Sequence, residues 1–275
     1  MALVINTNVA SLQAQRNLSS SQQSLGVSFN RLSSGYRINS AKDDAAGLAI
    51  SESMRMQIRT YTVVERNTND AVSMAQTAEG ALGQISDILG RMRELAAQGS
   101  NGALQSADRA YLQTEFSSLQ AEVKRIMTST KFNNAQVIGS GANQVTFQVG
   151  INNVGTDRIT ITFGNLNLKT LTTGDTRVSS GQLNSWNSLD KIDSALKSVS
   201  TSRSSYGAVM NRFEITVANI QTARLNIAAA NSRIRDVDVA EEAAQMSRQQ
   251  VLMQAGSSIL AQANQSPQMA LSLLR

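Results

Sequence analysis

Apolar positions between Leu189 and Ile234 recur with a step of 3, 4, 3, 4 that never slips. The series reads Leu189, Ile192, Leu196, Val199, Arg203, Tyr206, Met210, Phe213, Val217, Ile220, Arg224, Ile227, Asn231, Ile234. All but Arg203, Arg224 and Asn231 are apolar. A 3.5-residue repeat sustained this long keeps one stripe of a helix turned toward a partner helix, as in a coiled-coil seam. No proline interrupts it, and Gly207 is its one glycine. Such a helix is roughly 70 Å long. It predicts a rod that lies against another helix.

The rest of the chain supplies partners. Leu3–Leu32 reads as a first helix, with Ile5, Val9 and Leu12 opening a stripe that Leu18, Leu25, Phe29 and Leu32 continue after a one-residue slip. Gly35 is placed to end it as a C′ glycine. Ser40 and Asp43 have the spacing of a capping box, with Asp in place of the usual Glu, for a second helix from Ala41 to about Gln98. Leu82, Ile85, Leu89, Met92 and Ala96 give that helix a seam of its own. Its length matches the Leu189 rod, so the two are most simply antiparallel partners. Gly80, Gly83 and Gly90 within it mark either close helix packing or a place that bends. After a loop at Gly99–Gly102, a third helix from about Ala107 to Thr128 carries Leu112, Phe116, Leu119, Val123 and Ile126 on one stripe. The short turn makes helices two and three antiparallel neighbours in a bundle.

The period then changes. Val145, Phe147 and Val149 alternate with polar residues, as do Ile159, Ile161 and Phe163, which predicts a small β-hairpin. Residues 164–184 read as a Ser/Thr/Gly/Asn-rich surface loop with some further strand. A last helix is expected to run to about Asn264 and stop before Pro267, with Leu252, Ala255, Ile259 and Ala263 as a thin stripe toward the first helix. The fold class is therefore mainly α: long antiparallel helical rods with a small β-hairpin region.

Composition narrows the function. The 275 residues include neither cysteine nor histidine, which removes disulfides, thiol nucleophiles, histidine bases and the usual zinc ligand sets. The net charge of +5 is scattered along the chain, unlike the concentrated face of a nucleic-acid binder. Residues 139–144 fit neither a dinucleotide nor a phosphate-loop pattern. Asp236, Asp238, Glu241 and Glu242 could form a carboxylate metal site. The stronger reading is a helix start, since Asp238 and Glu241 have capping-box spacing. No cofactor and no catalysis are expected. The segment Val251–Leu274 is uncharged but studded with amides, which suits a face meant to be covered and not a membrane span. The first fifteen residues lack the basic region of a secretory signal peptide.

The run from Arg31 to Gly47, RLSSGYRINSAKDDAAG, closely resembles the N-terminal signature of bacterial flagellins. So do the start MALVINTN and, at the other end, SRIRDVD from Ser232, MSRQQVL from Met246, LAQAN from Leu260 and LSLLR from Leu271. The likeness covers roughly 1–140 and 185–275 and departs in the middle, where about 45 residues stand in place of large variable outer domains.

The resemblance implies an extracellular flagellar filament subunit, exported unfolded through the flagellar type III apparatus. Residues 1–42 with 236–275 would form a terminal coiled-coil domain (D0), and 43–235 a helical bundle (D1) with its β region at 140–184. Filament-core packing would fall to Ile5, Leu12, Leu25, Phe29, Leu252 and Ile259. The termini would be disordered in the free monomer and fold on polymerisation. Implied partners are further copies of the chain, the export chaperone, the filament cap and the hook-junction proteins. The Toll-like flagellin receptor of animal hosts would be a further partner, through Arg91, Leu95 and Glu122, although Gly90 stands where that patch commonly has glutamine. A hook–filament junction protein and an intracellular coiled-coil scaffold are the alternatives.

Overall fold

The computed structural model describes residues 7–139, 143–164, 166, 168, 171, 176–178 and 182–273, with the backbone alone at 182–183 and 266–273. In order these form α1 (Val9–Ser34), α2 (Ala45–Gly99), α3 (Ser106–Ser129), β1 (Lys131–Phe132), β2 (Ala135–Gln136), β3 (Asn143–Gln148), a 3-10 turn (Gly155–Asp157), β4 (Arg158–Phe163), α4 (Gln182–Arg235) and α5 (Val239–Leu273). Contacts group them into two compact units, one of the segments up to Ile58 and from Leu225, the other of Arg59–Arg224. The unit boundaries fall inside α2 and α4. Most of the loop expected at 164–184 lies outside the described residues, as does Ile5.

In the Arg59–Arg224 unit the seams meet as their spacing predicts. Leu82, Ile85, Leu89, Met92 and Ala96 of α2 are all buried, with Ile192, Val199, Tyr206 and Phe213 of α4 and Phe116, Val123 and Ile126 of α3. The hairpin β3–β4 is antiparallel, with Val145 opposite Ile161 and Phe147 opposite Ile159. Alternation along β4 turns Ile159, Ile161 and Phe163 into the core and leaves the residues between them exposed. Phe163 lies 5.6 Å from Tyr206, and Phe147 meets Phe213 edge-on at 5.9 Å, so the hairpin closes over the α4 seam. A second, two-residue hairpin, β1–β2, turns on Asn133 and Asn134, both at positive φ, a conformation asparagine tolerates better than most residues.

Ion pairs fix the antiparallel alignment of α2 with α4. Glu52 meets Arg235, Glu65 meets Arg224, Glu79 meets Arg203 and Arg93 meets Asp193, recurring about every two heptads along α2. Arg203 and Arg224, two of the three polar interruptions in the α4 seam, are thus pairing positions and not defects. Gly80, Gly83 and Gly90 do not serve close packing, because a Cβ at any of them would meet nothing within 4 Å. Gly99 does: its Cβ would come within 2.0 Å of Val178.

Both helix starts near the joints are capped by aspartate. Asp43 accepts the Ser40 N–H at 2.9 Å, but it closes the turn before the helix, and α2 begins only at Ala45. The working cap is Asp44, whose Oδ1 accepts the Gly47 N–H at 2.9 Å. Gly47 has to be small, since a Cβ there would lie 2.4 Å from Asp44 Oδ2. Asp238 Oδ1 likewise accepts the N–H groups of Ala240 (2.9 Å) and Glu241 (3.2 Å) at the start of α5.

Candidate assembly surface on the terminal helix pair

α1 and α5 lie antiparallel, with Asn8 opposite Ala263, Leu18 opposite Gly256 and Arg31 opposite Glu242. At the other end of the pair the chain crossings are stitched together. Arg37 N–H donates to the Arg235 carbonyl (2.7 Å) and Val237 N–H to the Gly35 carbonyl (3.1 Å), while the Arg37 guanidinium caps the Ile234 carbonyl at 2.7 Å. The Arg235 guanidinium sits 4.5 Å above the Tyr36 ring. Gly35 ends α1 at φ 75°, and Arg31 in the last turn reaches Glu242 at 3.5 Å. Glu242 is only 6% exposed, so the acidic cluster divides: Glu242 is buried against α1 and Asp238 caps α5. No metal-binding group of His, Cys, Asp or Glu occurs among the described residues.

The seam between the two helices differs from the expected stripes. On α1 the inward positions are Ser11, Ala14, Leu18, Ser21, Leu25 and Ser28, again at steps of 3 and 4. On α5 they are Glu242, Met246, Gln249, Met253, Gly256, Leu260 and Ala263. Leu252, Ala255 and Ile259 therefore do not face α1; of that expected stripe only Ala263 does. The physical reason is that the seam alternates small residues with leucine and methionine, as where Gly256 receives the Leu18 methyl, and this places Leu252, Ala255 and Ile259 on the other side of α5. A cleft of about 350 Å³ beside the pair has a mostly polar lining, with Gln23, Ser24, Ser28, Arg31, Gln245 and Gln249 and one apolar residue, Val27.

Among the side chains it turns outward are several large apolar ones. Val9 is 68% exposed, Leu12 57%, Phe29 63%, Val251 63%, Leu252 48% and Ile259 57%. Leu25 is half-buried at the seam. Charge is almost missing from this surface, with Arg16 alone between Val9 and Asn30 and none after Arg248 up to Leu273. Large exposed apolar side chains on two paired helices with few charges are the usual mark of an interaction face. No helix among the described residues is long and apolar enough to cross a membrane. The period of α5 could have disclosed its inward face from sequence, through Met246, Met253 and Leu260. Their glycine and glutamine neighbours masked it.

Of the second residue set, two members lie at the surface and one in the core. Arg91 is exposed and bonds Glu115 (2.9 Å) on α3 and Glu94 (2.9 Å). Both carboxylates raise its pKa, that of Glu115 most. Glu122 is exposed and paired with Arg125, whose hydrogen bonds lower its pKa. Leu95 is 1% exposed and belongs to the core.

Comparison with known proteins places this arrangement. Residues 5–144 match the family described as the bacterial flagellin N-terminal helical region, and 189–274 match the bacterial flagellin C-terminal helical region. The flagellin of Halalkalibacterium halodurans is 43% identical over 99% of this chain and 100% of its own length. The flagellin of Bacillus subtilis is 38% identical over 98% of this chain and 99% of its own. In structure, a protein of Vibrio parahaemolyticus described as flagellar hook-associated aligns at a TM-score of 0.63, with 14% identity, over 70% of this chain and all of that one, a likeness of fold alone. This chain belongs to the bacterial flagellin family, and is a structural subunit of the flagellar filament and not an enzyme.

Proposed function

We infer that the chain assembles into the extracellular filament through the outward face of its α1–α5 pair. Residues 1–42 with 236–275 act as the inner coiled-coil domain (D0), and 43–235 as the bundle outside it (D1). The observation that carries this reading is the exposure of Leu12, Phe29, Leu252 and Ile259 on helices with almost no charge. Leu25 contributes from the seam, and Ile5 extends the same N-terminal segment. In an isolated chain that surface meets water; in a helical homopolymer neighbouring copies cover it.

Magnitudes follow from exposure. Fully burying an isoleucine contributes about 1.5–3 kcal/mol, and Ile259 has 57% of its surface still to cover. Assembly thus gains about 1–2 kcal/mol there. An aspartate at that position adds a desolvated charge costing several kcal/mol. Sedimentation and electron microscopy of the full chain under polymerising conditions test this. The parent forms filaments; Ile259→Asp and Phe29→Asp keep the helical content of the Arg59–Arg224 unit and stay in the supernatant. Normal filaments from both variants would reject the reading.

Finer partners rest on the same family membership. The export chaperone takes the uncharged C-terminal segment before assembly, and the cap and hook-junction proteins meet the ends of the polymer. For recognition by the Toll-like flagellin receptor, Arg91 and Glu122 supply exposed groups, and Leu95 acts through the packing of α2. Replacing Arg91 with alanine lowers receptor activation by monomer; no response to the unmodified chain would remove that partner.

A further inference from the structure

The chain's single proline lies inside a helix. α5 continues through Pro267 to Leu273, contrary to the stop expected before it. A proline has no amide hydrogen, so the carbonyl four residues back, that of Ala263, loses its helical donor. That carbonyl is not left empty. Asn8 Nδ2 donates to it at 2.8 Å from the start of the chain. The other atom of the same amide, Asn8 Oδ1, accepts the Ser11 N–H at 3.1 Å and so caps α1. Beside them Ser11 Oγ donates to Asn264 Oδ1 at 2.8 Å, with Ser11 only 7% exposed. One backbone N–H and one carbonyl fix which end of the Asn8 amide points where.

On their own, the packed side chains of the α1–α5 seam specify its alignment weakly; the Arg31–Glu242 pair and the backbone bonds of Arg37 to Arg235 and of Val237 to Gly35 hold it at the far end. Moving α1 by one heptad replaces Ser11 by Leu18, Ala14 by Ser21, Leu18 by Leu25 and Ser21 by Ser28, a run of similar small and leucine positions. The apolar surface buried would change little. The freed carbonyl is different: Pro267 creates it at a single place in α5, and Asn8 reaches it in a single register.

We propose that Asn8 and Pro267 form a register key, in which Asn8 locks the open end of the α1–α5 pair in the alignment that polymerisation requires by bonding the one helical carbonyl that Pro267 leaves free. Asn8 acts as a positioning residue. The Arg31–Glu242 ion pair marks the opposite end of the same alignment. The inference rests on the α1–α5 pair being the core of the filament.

The test is a double-mutant cycle in the full-length chain, read as the critical concentration for polymerisation. Asn8→Ser keeps an N-cap oxygen for the Ser11 N–H and adds no charge, but is too short to donate to Ala263. It is expected to raise the critical concentration about tenfold, the cost of leaving a helical carbonyl unmet. In a Pro267→Ala background the new alanine N–H bonds the Ala263 carbonyl, and the Asn8→Ser penalty shrinks to within about twofold. Two results would overturn the key: Asn8→Ser polymerising like the parent, or a penalty unchanged by Pro267→Ala. Failure of the underlying reading looks different, since then Ile259→Asp also polymerises normally.

Discussion

Phe213 and Ile215 are two residues apart on α4, and the structure assigns them opposite energetic roles. Phe213 is fully buried and meets the Phe147 ring edge-on at 5.9 Å, joining the β3–β4 hairpin to the α4 seam. Ile215 is 64% exposed. Truncating a buried phenylalanine costs about 3–5 kcal/mol in lost transfer and cavity terms. The lost aromatic pair adds about 0.5–1.5 kcal/mol. Phe213→Ala should therefore destabilise the Arg59–Arg224 unit by about 4–6 kcal/mol, a large part of a typical domain's stability. Ile215→Ala should change it by no more than about 0.5 kcal/mol. Urea unfolding of monomer reports both, followed by circular dichroism and by the single tryptophan, Trp186. A loss below about 1.5 kcal/mol for Phe213→Ala, or comparable losses for the two variants, would refute the assignment of the hairpin to the core.

Gly83→Ala should stabilise the monomer by up to about 1 kcal/mol, because a helical glycine with open space at its Cβ position carries only the entropic penalty; Gly99→Ala should lower its melting temperature, since the added methyl strikes Val178. Asp193 has its pKa depressed by the Arg93 hydrogen bonds, so the pair contributes stability above the unfolded value near 4 that is lost as pH falls through the lower folded value. Asp193→Asn should flatten that limb of the stability–pH curve, and an unchanged curve would count against the pair. Limited proteolysis of dilute monomer should trim α1 and α5 before the Arg59–Arg224 unit, given the thin seam between them; equal protection would contradict that ranking.

The parts of the fold that were legible in the sequence are those where burial demands a large side chain at every seam position. Leu82, Ile85, Leu89 and Met92 on α2 and Ile192, Val199, Tyr206 and Phe213 on α4 are apolar because each faces a filled core, and their spacing gave the helices away. The same holds for Ile159, Ile161 and Phe163, whose two-residue period survives because the other face of β4 is wet. The terminal pair departs from this rule. There the tight contact is made by Ser11, Ala14, Ser28 and Gly256, and the large residues Leu12, Phe29, Leu252 and Ile259 look outward. A reading that sends large apolar residues to the nearest helix of the same chain picks the wrong face here. Pro267 misled for a related reason: a helix tolerates it when a side chain from elsewhere, here Asn8, takes up the freed carbonyl. Nothing local in the sequence connects residues so far apart. Leu95, which the family resemblance marks for a receptor patch, is buried, because a resemblance marks positions and not exposure.

The central claim is that the outward face of the α1–α5 pair is what neighbouring subunits cover. A density map of filaments assembled from this chain, at a resolution that shows side chains, tests it most directly. Leu12, Phe29, Leu252 and Ile259 are expected to be enclosed by adjacent copies, with Asn8 on the Ala263 carbonyl in every subunit. A map in which those four side chains face solvent, while the subunits touch elsewhere, would contradict it.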